Sequence, residues 1–196
     1  MESQFNEKDA LAVIERMISS TREDIQHNGY YLLVWGWMMF FASLGQYLLE
    51  VFPNPVPSYM VWPLFSIVAG ALTFIRGRKE EKERVVKSHL NDAVGAIWQA
   101  FGFSMFVALF ITNARSPHAL FPFCLILMAL GTYTTGKIVR FKPLVYGAYV
   151  SWGLALLSFN FSFNEQILAY AFGLLCSYIV PGYILKSRAT RHVQGA

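Results

Sequence analysis

Residues 59–87 read Tyr59-Met-Val-Trp62-Pro-Leu-Phe-Ser-Ile-Val-Ala-Gly-Ala-Leu-Thr-Phe-Ile75-Arg76-Gly-Arg78-Lys79-Glu-Glu-Lys82-Glu-Arg84-Val-Val-Lys87. Seventeen uncharged residues are followed by twelve positions that hold six cations. A helix rising about 1.5 Å per residue needs about 20 apolar residues to cross roughly 30 Å of hydrocarbon, with every backbone group bonded internally. Cations that close such a run hold the next loop on the cytoplasmic side.

Five further segments have the same character. The sequence therefore predicts an all-α polytopic membrane protein with six transmembrane helices, at about 29–51, 59–75, 93–112, 119–137, 143–161 and 167–185. A chain that is 55% hydrophobic and only 14% charged does not fit the soluble globular class. Fifteen of the sixteen Lys and Arg residues fall in alternate intervals: Lys8, Arg16 and Arg22; Arg76 to Lys87; Lys137, Arg140 and Lys142; Lys186, Arg188 and Arg191. Arg115 alone lies in the others, so both termini are expected in the cytoplasm, the C-terminal one as a tail over 186–196.

Residues 1–28 are expected to form a cytoplasmic amphipathic helix that starts at a capping-box-like Asn6/Asp9 pair and carries Leu11, Ile14, Ile18 and Ile25 on one stripe. Six acids against three bases give this stretch a net charge of −3, the wrong sign for an anionic lipid surface. Its apolar stripe is expected to pack on protein, either its own loops or a cytoplasmic partner. Acid-first pairs Glu80/Arg84 and Glu83/Lys87 extend the second span into the loop as a solvated helix. Small residues recur every fourth position at Ala100, Ser104, Ala108 and Thr112, at Gly147, Ser151 and Ala155, and at Ala169, Gly173 and Ser177. Such rows are expected at close helix contacts within the bundle, or between subunits of an oligomer. Pro181 and Gly182 predict a kink late in the sixth span.

Chemistry is sparse. Gly131 to Lys137 matches the start of a phosphate-binding loop, but Ile138 stands where a Ser or Thr should hold magnesium, and the stretch lies at the end of a membrane helix. His27, His89, His118 and His192 have no metal-ligand spacing, and Cys124 and Cys176 read as small apolar packing residues. No catalytic, metal-binding or cofactor-binding set emerges, the span centres hold no ionisable residue, and nothing calls for a nucleic acid. Gln46 and Glu50, one turn apart at the outer end of the first span, are candidates for an outer pocket.

Asn28-Gly29-Tyr-Tyr-Leu-Leu-Val-Trp35-Gly36-Trp37, followed by Gly45-Gln46-Tyr47, resembles a family of small six-span bacterial inner-membrane proteins with an acidic N-terminal helix and a Trp-Gly-Trp first span. The resemblance covers roughly residues 7–50. It implies a bacterial inner membrane and carries no activity or site residues with it.

Two functions compete. The first is a non-enzymatic sensor, regulatory or assembly module that engages a cytoplasmic protein, favoured because the outer connections are short while the arm, second loop and tail lie inside. The alternative is a transporter or channel for a neutral small solute, lined by Gln46, Gln99, Thr132 and Thr135.

Overall fold

The computed structural model describes the backbone of residues 7–52, 55–83 and 89–194, and side chains within 29–52, 55–82, 92–112, 116 and 118–187. All regular elements among the described residues are helical: α1 (Glu7–Val51), α2 (Val61–Glu83), α3 (His89–Arg115), α4 (Leu120–Ile138), α5 (Lys142–Ser158), α6 (Phe163–Leu174), a π turn (Leu175–Ile179) and α7 (Val180–Gln194). The last three follow one another without a break and form a single rod, called the last helix below. Five helical segments are long and apolar enough to cross a membrane by length and composition: Gly29–Val51, Ser58–Lys82, Asp92–Thr112, Leu120–Ile138 and Phe163–Ser187.

The helix ends depart from the expected ones for local reasons. Residues 7–28 and the first span, read separately, are one helix of 45 residues, about 68 Å long. Asn6 and the side chains of Leu11, Ile14, Ile18 and Ile25 lie outside the described residues. α5 has 17 residues, about 25 Å, and is shorter than the expected 143–161. Its chain turns at Asn160, whose N–H bonds the Leu157 carbonyl at 3.0 Å, and the next helix starts at once. Ser162 caps it: the Glu165 N–H approaches the Ser162 hydroxyl at 3.5 Å, and the Glu165 carboxylate accepts the Ser162 N–H at 2.7 Å. This reciprocal box begins the last helix at Phe163 rather than near Ile167. α4 ends in a Schellman motif, with the Phe141 N–H on the Gly136 carbonyl at 2.8 Å and the Arg140 N–H on that of Lys137 at 3.3 Å. Arg140 adopts φ 54°, a left-handed conformation usually left to glycine.

α1, α4, α5 and the last helix form the core, with Leu32, Phe121, Leu125, Met128, Leu144, Ile167, Leu174 and Leu185 at its centre. α5 runs antiparallel to the last helix along its length, Gly147 beside Ser177 and Ser158 beside Gln166, whose amide donates to the Ser158 carbonyl at 2.9 Å. α2 packs on α1 and α3 on α4, and both leave large apolar side chains outside, among them Ile67, Ile75, Phe103 and Phe110. An apolar surface this large drives association in water but is an ordinary solvated surface in lipid.

A ladder of side-chain hydrogen bonds joins α1 to α2. Ser58 donates to the Glu50 carboxylate, Trp62 Nε1 to Gln46 Oε1 at 2.5 Å, Trp35 Nε1 to Thr73 Oγ1 at 3.0 Å, and the Tyr31 hydroxyl to Glu80 at 2.7 Å. Partners advance on one helix as they recede on the other, as antiparallel register requires. Glu80, expected in a solvated pair with Arg84, is buried and also accepts from Arg76 Nε at 2.6 Å; Arg84 lies outside the described residues. Packing contributes to helix association in lipid, and the ladder adds register and direction to this pair.

Trp35→Phe and Thr73→Val should therefore be non-additive. A double-mutant cycle of thermal unfolding in detergent should give a coupling of about 0.6 kcal/mol, and no more than about 1.7. Strict additivity would show that the indole and hydroxyl do not meet.

Candidate functional site

Pro181 explains the π turn. Proline has no N–H to give, and its ring crowds the carbonyl four residues back, here that of Ser177. Widening one turn relieves the clash, and the Val180 N–H bonds the Leu175 carbonyl five positions earlier. An irregular backbone inside a membrane needs its freed groups covered by protein. The Ser177 hydroxyl donates to the Gly147 carbonyl at 2.8 Å and shares a 2.7 Å hydrogen bond with Ser151.

Two glycines grip this turn from opposite helices. A Cβ on Gly147 of α5 would lie 2.5 Å from the Cys176 carbonyl oxygen and 2.7 Å from Ser177 Cα, so backbone rests on backbone. On Gly36 of α1 it would lie 2.9 Å from Tyr178 Cβ and 3.0 Å from Ile179 Cγ1. The Trp98 ring of α3 also packs on Tyr178, with centroids 5.7 Å apart.

The Trp-Gly-Trp motif is a three-way junction at the same point. Trp35 reaches α2 through Thr73, Gly36 admits the π turn, and Trp37 Nε1 donates to the Tyr183 hydroxyl of α7 at 3.3 Å. Gly29, Gly36 and Ser43, spaced by seven, face the last helix: Gly29 lies beside Gly182 and Leu185, and the Ser43 hydroxyl bonds the Ile167 carbonyl at 2.8 Å. Heptad spacing of small residues was the signal in the sequence; a search for every fourth position passes over it.

The other expected sites are placed as follows. Gly147, Ser151 and Ala155 on α5, and Ala169, Gly173 and Ser177 on the last helix, are all buried, and the Ser151–Ser177 bond joins the two rows. Gly173 also faces α4, where Leu125 Cδ2 would lie 2.7 Å from an added Cβ. On α3 the row is exposed at Ala100 and Ser104, half-buried at Ala108 and buried only at Thr112, and a Cβ on nearby Gly102 would meet nothing within 4 Å. Gln46 and Glu50 do not share a pocket, because the first is buried against Trp62 and the second is exposed and bonded to Ser58. The residues expected along a solute path fall on three helices: Gln46 is buried on α1, while Thr132 and Thr135 are buried one turn apart on α4. Gln99 is exposed on α3, and the Thr132 hydroxyl returns to the Met128 carbonyl of its own helix. The resemblance to a phosphate-binding loop at 131–137 lies within α4, with Gly136 pressed on Leu144 and Val145. Among the described residues no three His, Cys, Asp or Glu side chains gather to hold a metal. Cys124 is buried 3.4 Å from Met105 Sδ, and Cys176 is half-buried within the π turn.

Gly36→Ala and Gly147→Ala should each destabilise the protein by about 1–3 kcal/mol through overpacking. Gly153→Ala, with open space around it, should leave stability unchanged or raise it by about 0.5–1 kcal/mol through helix propensity. Parallel melting curves in one detergent decide the matter; equal behaviour of all three would remove the grip on the π turn. No protein-family model matches this chain, and no curated protein or solved structure shows significant similarity to it, so the Trp-Gly-Trp junction is interpreted from its geometry alone.

Proposed function

We propose that the protein is a non-enzymatic, six-span module of a bacterial inner membrane, with both termini in the cytoplasm, that engages a cytoplasmic protein through the helix preceding its first span and acts as a sensor, regulator or assembly factor. The observation that carries this reading is the continuity of α1 from Glu7 to Val51. A load on the arm is passed without a hinge to Gly36 and hence to the π turn. The side chains at that junction serve helix contact rather than solvent or solute. This favours a binding module over a transporter, whose expected lining includes Gln99, exposed on α3.

The charge distribution supports the orientation. The sixth crossing is supported by α5 running antiparallel to the last helix over its whole length. At about 25 Å it needs local thinning of the bilayer, or shelter from the two helices beside it. The protein partner would meet Leu11, Ile14 and Ile18 on a face of net negative charge.

Pull-downs from membranes should recover a cytoplasmic protein with the natural chain and lose it with Ile14→Asp and with a deletion of residues 1–26. A reporter fused after Ala196 should be active in the cytoplasm, and a cysteine at Ser162 should be labelled from outside in intact cells. Retention of every captured protein by both arm variants would end the partner reading. An external C-terminus would overturn the topology independently.

A further inference from the structure

A lateral groove of about 380 Å³ lies between α5 and the last helix, flanking the contact of Gly147 with Cys176. Its walls are almost wholly carbon, from Pro143, Tyr146 and Val150 on one side and Cys176, Val180 and Ile184 on the other. From the level of Pro143 and Ile184 to that of Val150 and Cys176 it runs seven or eight residues, about 10–12 Å along the helices. The Pro143 end is basic. Lys142 and Lys186 adjoin it and are exposed, and Arg140, two residues before Lys142, is exposed as well. Arg140 holds a cation at that level in a left-handed backbone that glycine would occupy without strain.

We propose that this groove seats an acyl chain of an anionic phospholipid whose headgroup is held by Arg140, Lys142 and Lys186. Three observations select that occupant. Carbon walls leave the N–H and C=O groups of an extended polypeptide unbonded, whereas an acyl chain has none. A helix about 10–12 Å across would need about two to three and a half times the available volume over the same length. A soluble anion would use the cations and leave the groove empty. The proposal requires only that the basic end of the bundle lie at a membrane surface, on whichever side.

The test is thermal unfolding of the purified full chain in detergent with added dioleoyl-phosphatidylglycerol, dioleoyl-phosphatidylcholine or glycerol phosphate. Phosphatidylglycerol should raise the melting temperature by several degrees and the other two should not. The shift should vanish in the double variant Arg140→Gly with Lys142→Gln. It should vanish also in Val180→Trp, which fills the groove from an exposed position and leaves every cation in place. Equal shifts with both lipids would mean ordinary bilayer solvation, and a shift with glycerol phosphate would mean a free phosphate site; either overturns the proposal, as does no shift with phosphatidylglycerol. Persistence of the phosphatidylglycerol shift in Val180→Trp would overturn it through a different arm, since charge alone would then account for binding. Because the two variants act on different halves of the ligand, misfolding of one leaves the other to decide.

Discussion

The close approach of the first long helix to the last, at Gly36 against the π turn, is the contact on which the other helices depend. Pro181 has no N–H to offer the Ser177 carbonyl, and the turn widens so that the Val180 N–H bonds the Leu175 carbonyl. Gly36 and Gly147 bring α1 and α5 against this turn from two sides, and Ser151 and Ser177 supply hydrogen bonds there. α4 reaches the same helix through Leu125 and Met128, packed on Gly173. α2 hangs from α1 and α3 from α4, so their positions follow from that of the core.

Polar side chains do most of their work between helices. Trp62 with Gln46, Trp35 with Thr73, and Tyr31 with Glu80 each pair a donor on one helix with an acceptor on its neighbour. Such bonds add direction where packing of like apolar surfaces gives little. Tryptophan serves two ends here: its ring suits the boundary between lipid and water, and its N–H is free to bond a neighbouring helix. Among the described residues two buried polar atoms, Thr135 Oγ1 and Gln166 Oε1, have no hydrogen-bond partner.

Much of the architecture was legible in the sequence because hydrocarbon admits few backbone solutions. The apolar runs locate five helices of spanning length to within a few residues, and small residues mark both α5 and the last helix. The start of the last helix was misplaced because Ser162 and Glu165 sit in a polar-looking stretch, where the capping box signals a boundary that hydropathy blurs. The row on α3 has the same spacing as that on α5 yet is exposed at Ala100 and Ser104, since periodicity marks a face without naming what covers it. The hydrogen-bond ladder was illegible for another reason: each partner is an ordinary residue, and only the hairpin register brings Gln46 to Trp62 and Tyr31 to Glu80. The Trp-Gly-Trp run was noticed as a motif, but its physical role required seeing that its three side-chain positions address three different elements.

Cross-linking of the first helix to the last, in native membranes and with Cys124→Ala and Cys176→Ala in the background, tests the central contact most directly. A Cβ at Gly29 lies 3.5 Å from Leu185 Cβ, within the span of about 3.5–4.5 Å that a disulfide bridges. Mild oxidation of the Gly29→Cys, Leu185→Cys pair should give near-complete intramolecular cross-linking. The pair Gly29→Cys with Gly70→Cys, where an added Cβ meets nothing within 4 Å, should give none. Equal yields from the two pairs, or no cross-link at Leu185, would contradict the docking of α1 on the last helix.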